Sequence, residues 1–132
     1  MFTNQMEYKV AWGDTDLAGI VYYPNYYKWM DNATHELFSA MGYPISDLIR
    51  QKIGLPLLET FCKFSDSVSY SEQIQMISKV VEVKDKTIKM SHEFRKKDKL
   101  LAEGYELRAW ISFEQGMKAV SIPDHIRQAL NS

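Results

Sequence analysis

The sequence predicts an α+β fold in which a curved antiparallel sheet wraps one long helix. Three observations predict it. A single well-punctuated helical pattern runs from Pro24 to Met41. Beyond residue 57 the apolar residues mostly recur with the two-residue period of strands. The composition, 45% apolar and 25% charged over 132 residues, suits a chain that buries its own core. No repeat, low-complexity tract or linker interrupts it, so one domain spanning residues 1–132 is expected.

Gln5–Trp12 reads as a strand leading into a turn at Gly13–Asp16. Pro24 suits the first helical position, where its missing N–H costs nothing. Tyr26, Trp29, Met30, Ala33, Leu37 and Met41 then fall on one helical face, Gly42 offers a stop, and Pro44 blocks continuation. Aromatic residues on more than one face (Tyr26, Tyr27, Trp29, Phe38) predict a helix covered on most sides. Ile45–Ile53 is a candidate second helix, Leu57–Phe64 a strand, and Gln73–Val83 a strand bent near Met76 and Ile77. Ile88, Met90, His92 and Phe94 alternate with polar residues. Leu101, Tyr105, Leu107, Ala109, Ile111 and Phe113 are read as one face of a long strand, Lys118–Ile122 as a last strand, and Pro123–Leu130 as a terminal helix.

A net charge of −1 argues against a dedicated nucleic-acid binder. One cysteine, Cys62, excludes an intrachain disulfide and reads as a small buried hydrophobe. The N-terminus lacks a basic region followed by an apolar run, and no stretch has the length and apolarity of a membrane span. A cytoplasmic location is the expectation. No paired His/Cys spacing suggests zinc.

Chemistry concentrates between Trp12 and Asp31. Asp14 and Asp16 share a tight turn, and a glycine-containing segment leads from it to a helix N-terminus, where unpaired N–H groups and positive dipole character are found. A carboxylate beside such donors suits attack on a carbonyl. The residues alone also allow Asp14 and Asp16 to be ordinary turn formers.

The run Asp14-Thr15-Asp16-Leu17-Ala18-Gly19-Ile20-Val21-Tyr22-Tyr23-Pro24-Asn25 resembles, without a gap, the signature of hotdog-fold thioesterases of the 4-hydroxybenzoyl-CoA thioesterase type. Weaker likeness extends to Gly54–Leu57, Ala102 and Gly104, and Ile122-Pro123. The resemblance implies a hotdog domain that hydrolyses an acyl-CoA without a cofactor or metal. It places the catalytic carboxylate on Asp16, as nucleophile or general base, and the oxyanion donor on the Tyr23 backbone N–H. Gly19 would let the backbone pass close to the thioester, and Asp14 would shape the loop. Tyr22, Pro24 and Asn25 would contact the substrate, with Lys86 and Thr87 at the nucleotide end of coenzyme A. A dimer or tetramer pairing edge to edge, with sites at the subunit interface, is also implied. Related short-chain enzymes often carry His where Pro24 stands, so this carboxylate is expected to work without a local histidine.

Rival readings are a hydratase or dehydratase and a non-catalytic acyl-CoA binding module. The first typically needs a differently spaced His motif, and the second has no need of Asp16. Glu36 on the helix is the competitor to Asp16 as the catalytic carboxylate, because a second hotdog family places its catalytic Glu there, and Asp31 is expected to be exposed or capping. His35, His92 and His125 read as helix surface, sheet face and C-terminal surface. Seven Lys or Arg between Lys84 and Lys99 form either two solvated hairpin turns or a patch for phosphates.

Overall fold

The computed structural model describes residues 1–132. The elements in chain order are β1 (Thr3–Lys9), α1 (Pro24–Ala40), α2 (Ile45–Arg50), β2 (Ile53–Gly54), β3 (Leu57–Phe64), β4 (Gln73–Val83), β5 (Thr87–Lys96), β6 (Lys99–Ala109), β7 (Ile111–Ser112), β8 (Lys118–Ala119) and α3 (Asp124–Asn131). An antiparallel five-stranded sheet runs β1-β4-β5-β6-β3, and a small one runs β2-β7-β8.

Helix α1 begins at Pro24 and ends in a Schellman motif. Gly42 takes φ +92° there, its N–H bonds Ser39 O, and the Tyr43 N–H bonds Phe38 O at 2.9 Å. Its buried stripe is Tyr26, Trp29, Met30, Ala33, Thr34, Leu37 and Phe38. Lys28, Asn32, His35, Glu36 and Ser39 are exposed. The expectation of a helix covered on most sides is therefore corrected: one chain covers one side of α1 and leaves the other to solvent.

Two apolar clusters fill the space between α1 and the sheet. One gathers Tyr26, Trp29, Met30, Ile74, Met76 and Phe94 near the start of α1. The other gathers Leu37, Phe38, Val80, Ile88, Met90 and Trp110 near its end, closed by Ile126 and Leu130 of α3. Between them lies a buried polar belt of Thr34, Ser78, His92, Glu106 and Arg108. Each inward row thus reads apolar, polar, apolar: Met76-Ser78-Val80 on β4, Phe94-His92-Met90 on β5, Met30-Thr34-Leu37 on α1.

Two strand readings are corrected. The irregularity in β4 lies between Val80 and Glu82, at the end of the strand, and not at Met76-Ile77. In β6 the residues facing α1 are Ala102, Gly104, Glu106 and Arg108, while Tyr105 and Leu107 are only half-buried. β6 ends at Ala109, so Ile111 belongs to β7 and Phe113 lies beyond it. The apolar pattern misleads because Glu106 and Arg108 satisfy each other, which lets two charges occupy the inner face.

Candidate functional site

The loop between β1 and α1 is built on Asp14. Its carboxylate accepts hydrogen bonds from the Tyr8 hydroxyl (2.5 Å) and the Ala11 N–H (2.8 Å). Its carbonyl accepts from the Tyr22 N–H and the Asn25 side-chain amide, both at 2.8 Å. One residue therefore fastens the loop to β1 and to the first turn of α1. Its carboxylate also holds the Tyr8 phenol above the usual tyrosine range.

Asp16 stands at the exposed turn beyond. Its N–H donates to Ile20 O (2.9 Å) and its carbonyl accepts from the Gly19 N–H (3.0 Å). Gly19 takes φ +78°, a conformation that L side chains rarely adopt. The Asp16 Oδ1 accepts the Ala18 N–H at 2.8 Å, while Oδ2 has no hydrogen bond within the chain. The following strip is sewn to the stretch after β3 by Val21 N–H to Val68 O (2.9 Å) and by an Ile20–Ser69 bridge.

A cleft of about 370 Å³ results, lined by Asp16, Ile20, Val21, Tyr23, Tyr26, Phe64 and residues 65–68. Carboxylate and helix start thus meet on one apolar-walled cleft. The Asn25 N–H bonds Tyr22 O and the Tyr26 N–H bonds Tyr23 O, but the Tyr23 N–H donates to no acceptor in the chain. Tyr22 and Tyr23 are 51% and 59% exposed. Tyr26 is buried in the core and also forms the cleft floor, edge-on to Phe94 and tilted against Phe64.

Other expected groups fall elsewhere. Lys86 and Thr87 sit at the β4–β5 hairpin, about 25 Å along β5 from Phe94 at the strand rise of roughly 3.3 Å per residue. One chain does not bring them to the cleft. The basic run is split between the ends of the sheet. At the cleft end Lys96 pairs with Glu72 and Lys99 with Asp66, whose carboxyl the Lys99 hydrogen bond holds below the usual range. Glu36, His35 and His125 are exposed, and His92 is fully buried. Cys62 is buried, and burial pushes its thiol up to about 11, so it is protonated at neutral pH. No helix is long and apolar enough to cross a membrane.

Sequence reasoning missed the belt. Arg108 donates to Asp31 Oδ1 (2.6 Å), Glu106 Oε2 (2.8 Å) and Leu55 O (2.8 Å). Asp31 is therefore an ion-pair partner, neither capping nor free. The available signal was a pair of opposite charges two apart, Glu106 and Arg108, within a mostly apolar run from Tyr105 to Trp110. Burial pushes the Glu106 carboxyl up, but His92, Arg108 and Thr34 outweigh it and hold it down at about 2. A carboxylate so depressed stabilises the fold fully above its unfolded value near 4.5, and that contribution fades as pH falls toward 2. Its size is about 3 kcal/mol. Denaturant unfolding between pH 5 and pH 3 should lose stability more steeply in wild type than in Glu106→Gln. Equal slopes would remove Glu106 from the account.

A curved antiparallel sheet packed on one long helix is the architecture of the hotdog-fold thioesterases. The chain belongs to the thioesterase-like superfamily, which it matches over residues 10–130. It is 38% identical to a gentisyl-coenzyme A thioesterase of known structure, covering 98% of this chain and 100% of that one, with a TM-score of 0.88. It is 29% identical over 90 residues to the 4-hydroxybenzoyl-CoA thioesterase of Pseudomonas sp. (strain CBS-3), a match spanning 66% of this chain and 64% of that enzyme. The solved structure of that Pseudomonas enzyme superposes with a TM-score of 0.88 at 23% identity, over 98% of this chain and 99% of that one.

Proposed function

We propose that the protein hydrolyses an acyl-CoA thioester to free acid and coenzyme A. The observation that carries this reading is the meeting of Asp16 and the unpaired Tyr23 N–H on one cleft. The thioester carbonyl sits with its oxygen on that N–H, where negative charge develops during attack. Asp16 Oδ2 either attacks the carbonyl carbon, giving with loss of the thiolate a mixed anhydride that water then hydrolyses to the free acid and Asp16, or takes a proton from a water that attacks instead. Coenzyme A leaves as a thiolate, a good leaving group. Gly19 keeps the approach to Asp16 free of side chain; Tyr22, Pro24 and Asn25 stand outside the cleft lining, Asn25 with its amide on Asp14 O, and would meet the substrate only at the cleft rim. The named relatives act on gentisyl-CoA and 4-hydroxybenzoyl-CoA, and an aromatic wall of Tyr23, Tyr26 and Phe64 suits a ring-bearing acyl group.

The reading includes a homodimer or homotetramer. β3 is an edge strand with Leu58 and Phe61 exposed at 57% and 50%, a surface that strand pairing with a second copy would cover. Lys86 and Thr87 then serve the nucleotide of a ligand held by the partner, since they lie far from their own cleft. A cytoplasmic location goes with an acyl-CoA substrate and a single unpaired cysteine.

The test is thiol release from a panel of benzoyl-, hydroxybenzoyl-, naphthoyl- and short aliphatic CoA thioesters. Turnover is expected, fastest with aromatic acyl groups. Saturable binding without thiol release would establish a binding module instead.

A further inference from the structure

We propose that Arg108 is a positioning residue for this reaction, holding α1 in register on the sheet so that the Tyr23 N–H at its start stands at working distance from Asp16 and the opposite cleft wall. The proposal rests on the cleft assignment above. Asp14 ties the Asp16 loop to Tyr22 and Asn25 at the start of α1, while its Tyr8 bond, the Val21–Val68 bond and the Ile20–Ser69 bridge tie the same loop to the sheet side; the Tyr23 N–H, by contrast, stands at the first turn of α1. The facing wall, Phe64 and residues 65–68, continues from β3 and so belongs to the sheet. With Asp16 and the wall held on the sheet side, whatever fixes α1 on the sheet fixes where the Tyr23 N–H stands relative to them.

Most of that attachment is apolar packing, which is non-directional and tolerates sliding. The directional ties are few. Apart from Trp29 with Tyr8 of β1, the side-chain hydrogen bonds between α1 and the five-stranded sheet belong to the polar belt: Arg108 to Asp31, Thr34 to Glu106, and Thr34 with His92 at 3.2 Å. Ser78 holds the other ring nitrogen of His92 at 2.7 Å. Arg108 is the hub. Its Nη2 bridges Asp31 of α1 and Glu106 of β6, its Nε reaches Glu106 Oε1 (3.2 Å), and its Nη1 holds Leu55 O, just before β3. One planar guanidinium thus joins the helix whose start carries the Tyr23 N–H to the sheet that carries the wall. No lysine can replace that fork. Asp31 lies eight residues beyond Tyr23, about 12 Å along a rigid helix at roughly 1.5 Å per residue, so a shift at Asp31 passes to the site undiminished.

Arg108→Lys keeps the buried charge and removes the fork. Well below its melting temperature it is expected to lower kcat between about tenfold and a hundredfold while KM stays within about twofold, as for a small misplacement of reacting groups. Amide exchange in the peptide spanning Tyr22 to Tyr27 is expected to speed up at least about tenfold, a readout that does not depend on Asp16 doing the hydrolysis. Asp31→Glu combined with Arg108→Lys, which returns the lost reach, should recover part of kcat. A lowered melting temperature with kcat and exchange at wild-type values would reduce the belt to a stabilising ion cluster and overturn the proposal. If Arg108→Lys does not fold, Thr34→Val breaks the second tie with little change of shape. It should show the same kcat-over-KM pattern at about threefold, and unchanged kcat and exchange there would also overturn it.

Discussion

Asp16→Asn is expected to lower kcat on the order of a thousandfold while leaving KM within a few-fold and the melting temperature unchanged. The substitution is nearly isosteric, and the Asn side-chain oxygen can still accept the Ala18 N–H that orients Asp16 today. The surrounding turn is set by backbone bonds to Gly19 and Ile20 that an amide does not disturb. What is lost is the negative charge and the free Oδ2, needed equally for direct attack and for activation of water. Asp16 is exposed and pairs with no cation, so the fold does not depend on its charge. Steady-state thiol release beside a thermal melt separates the two consequences. Hydrolysis by Asp16→Asn at wild-type rate would move the chemistry to another group in the cleft, and Asp66 would be the next carboxylate to test.

The asymmetry between what could and could not be read in the chain has a physical origin. Helix α1 was legible because its ends are written locally: a proline where an N–H is dispensable, a glycine where φ turns positive. β5 was legible because Ile88, Met90, His92 and Phe94 alternate with polar residues, and that row is the buried one. β6 was misread because the usual rule, charge outward, fails when two charges neutralise each other. Glu106 and Arg108 take the inner face, and Tyr105 is left to pack outside against Phe61 and under Lys89. Half of the candidate site was contiguous, from Asp14 to Asn25. Its other wall comes from residues 64–68, some forty positions later, whose nearness depends on the β3–β6 pairing and the Ile20–Ser69 bridge. No local pattern encodes that distance. The basic run divides for the same reason: Lys86 and Lys97 are close in sequence, yet β5 carries them to opposite ends of the sheet.

Gly104→Ala is expected to destabilise the fold by about 3 kcal/mol or more, at the top of the range for an overpacked core. A Cβ at this position would lie 2.2 Å from Phe61 O, 2.9 Å from Met30 Sδ and 3.1 Å from Cys62 Cα. Met30 can swing its flexible thioether aside, but Phe61 O and Cys62 Cα are backbone atoms of β3, paired with β6 in this register. Relief therefore requires β3 to part from β6 or α1 to rise from the sheet. Met30 is fully buried between them and leaves little slack. For a domain of this size the loss corresponds to a fall in melting temperature of roughly 10 °C. The site should suffer too, because β3 leads into Phe64 and the wall that faces Asp16, so residual folded protein should hydrolyse more slowly per molecule. The same Ala change at Gly13, where a Cβ meets nothing within 4 Å, is the control and should leave the melt unchanged. A melting temperature for Gly104→Ala within about 3 °C of wild type would mean that β3 yields easily. The sheet would then be too soft at that edge to hold one wall of the cleft in place.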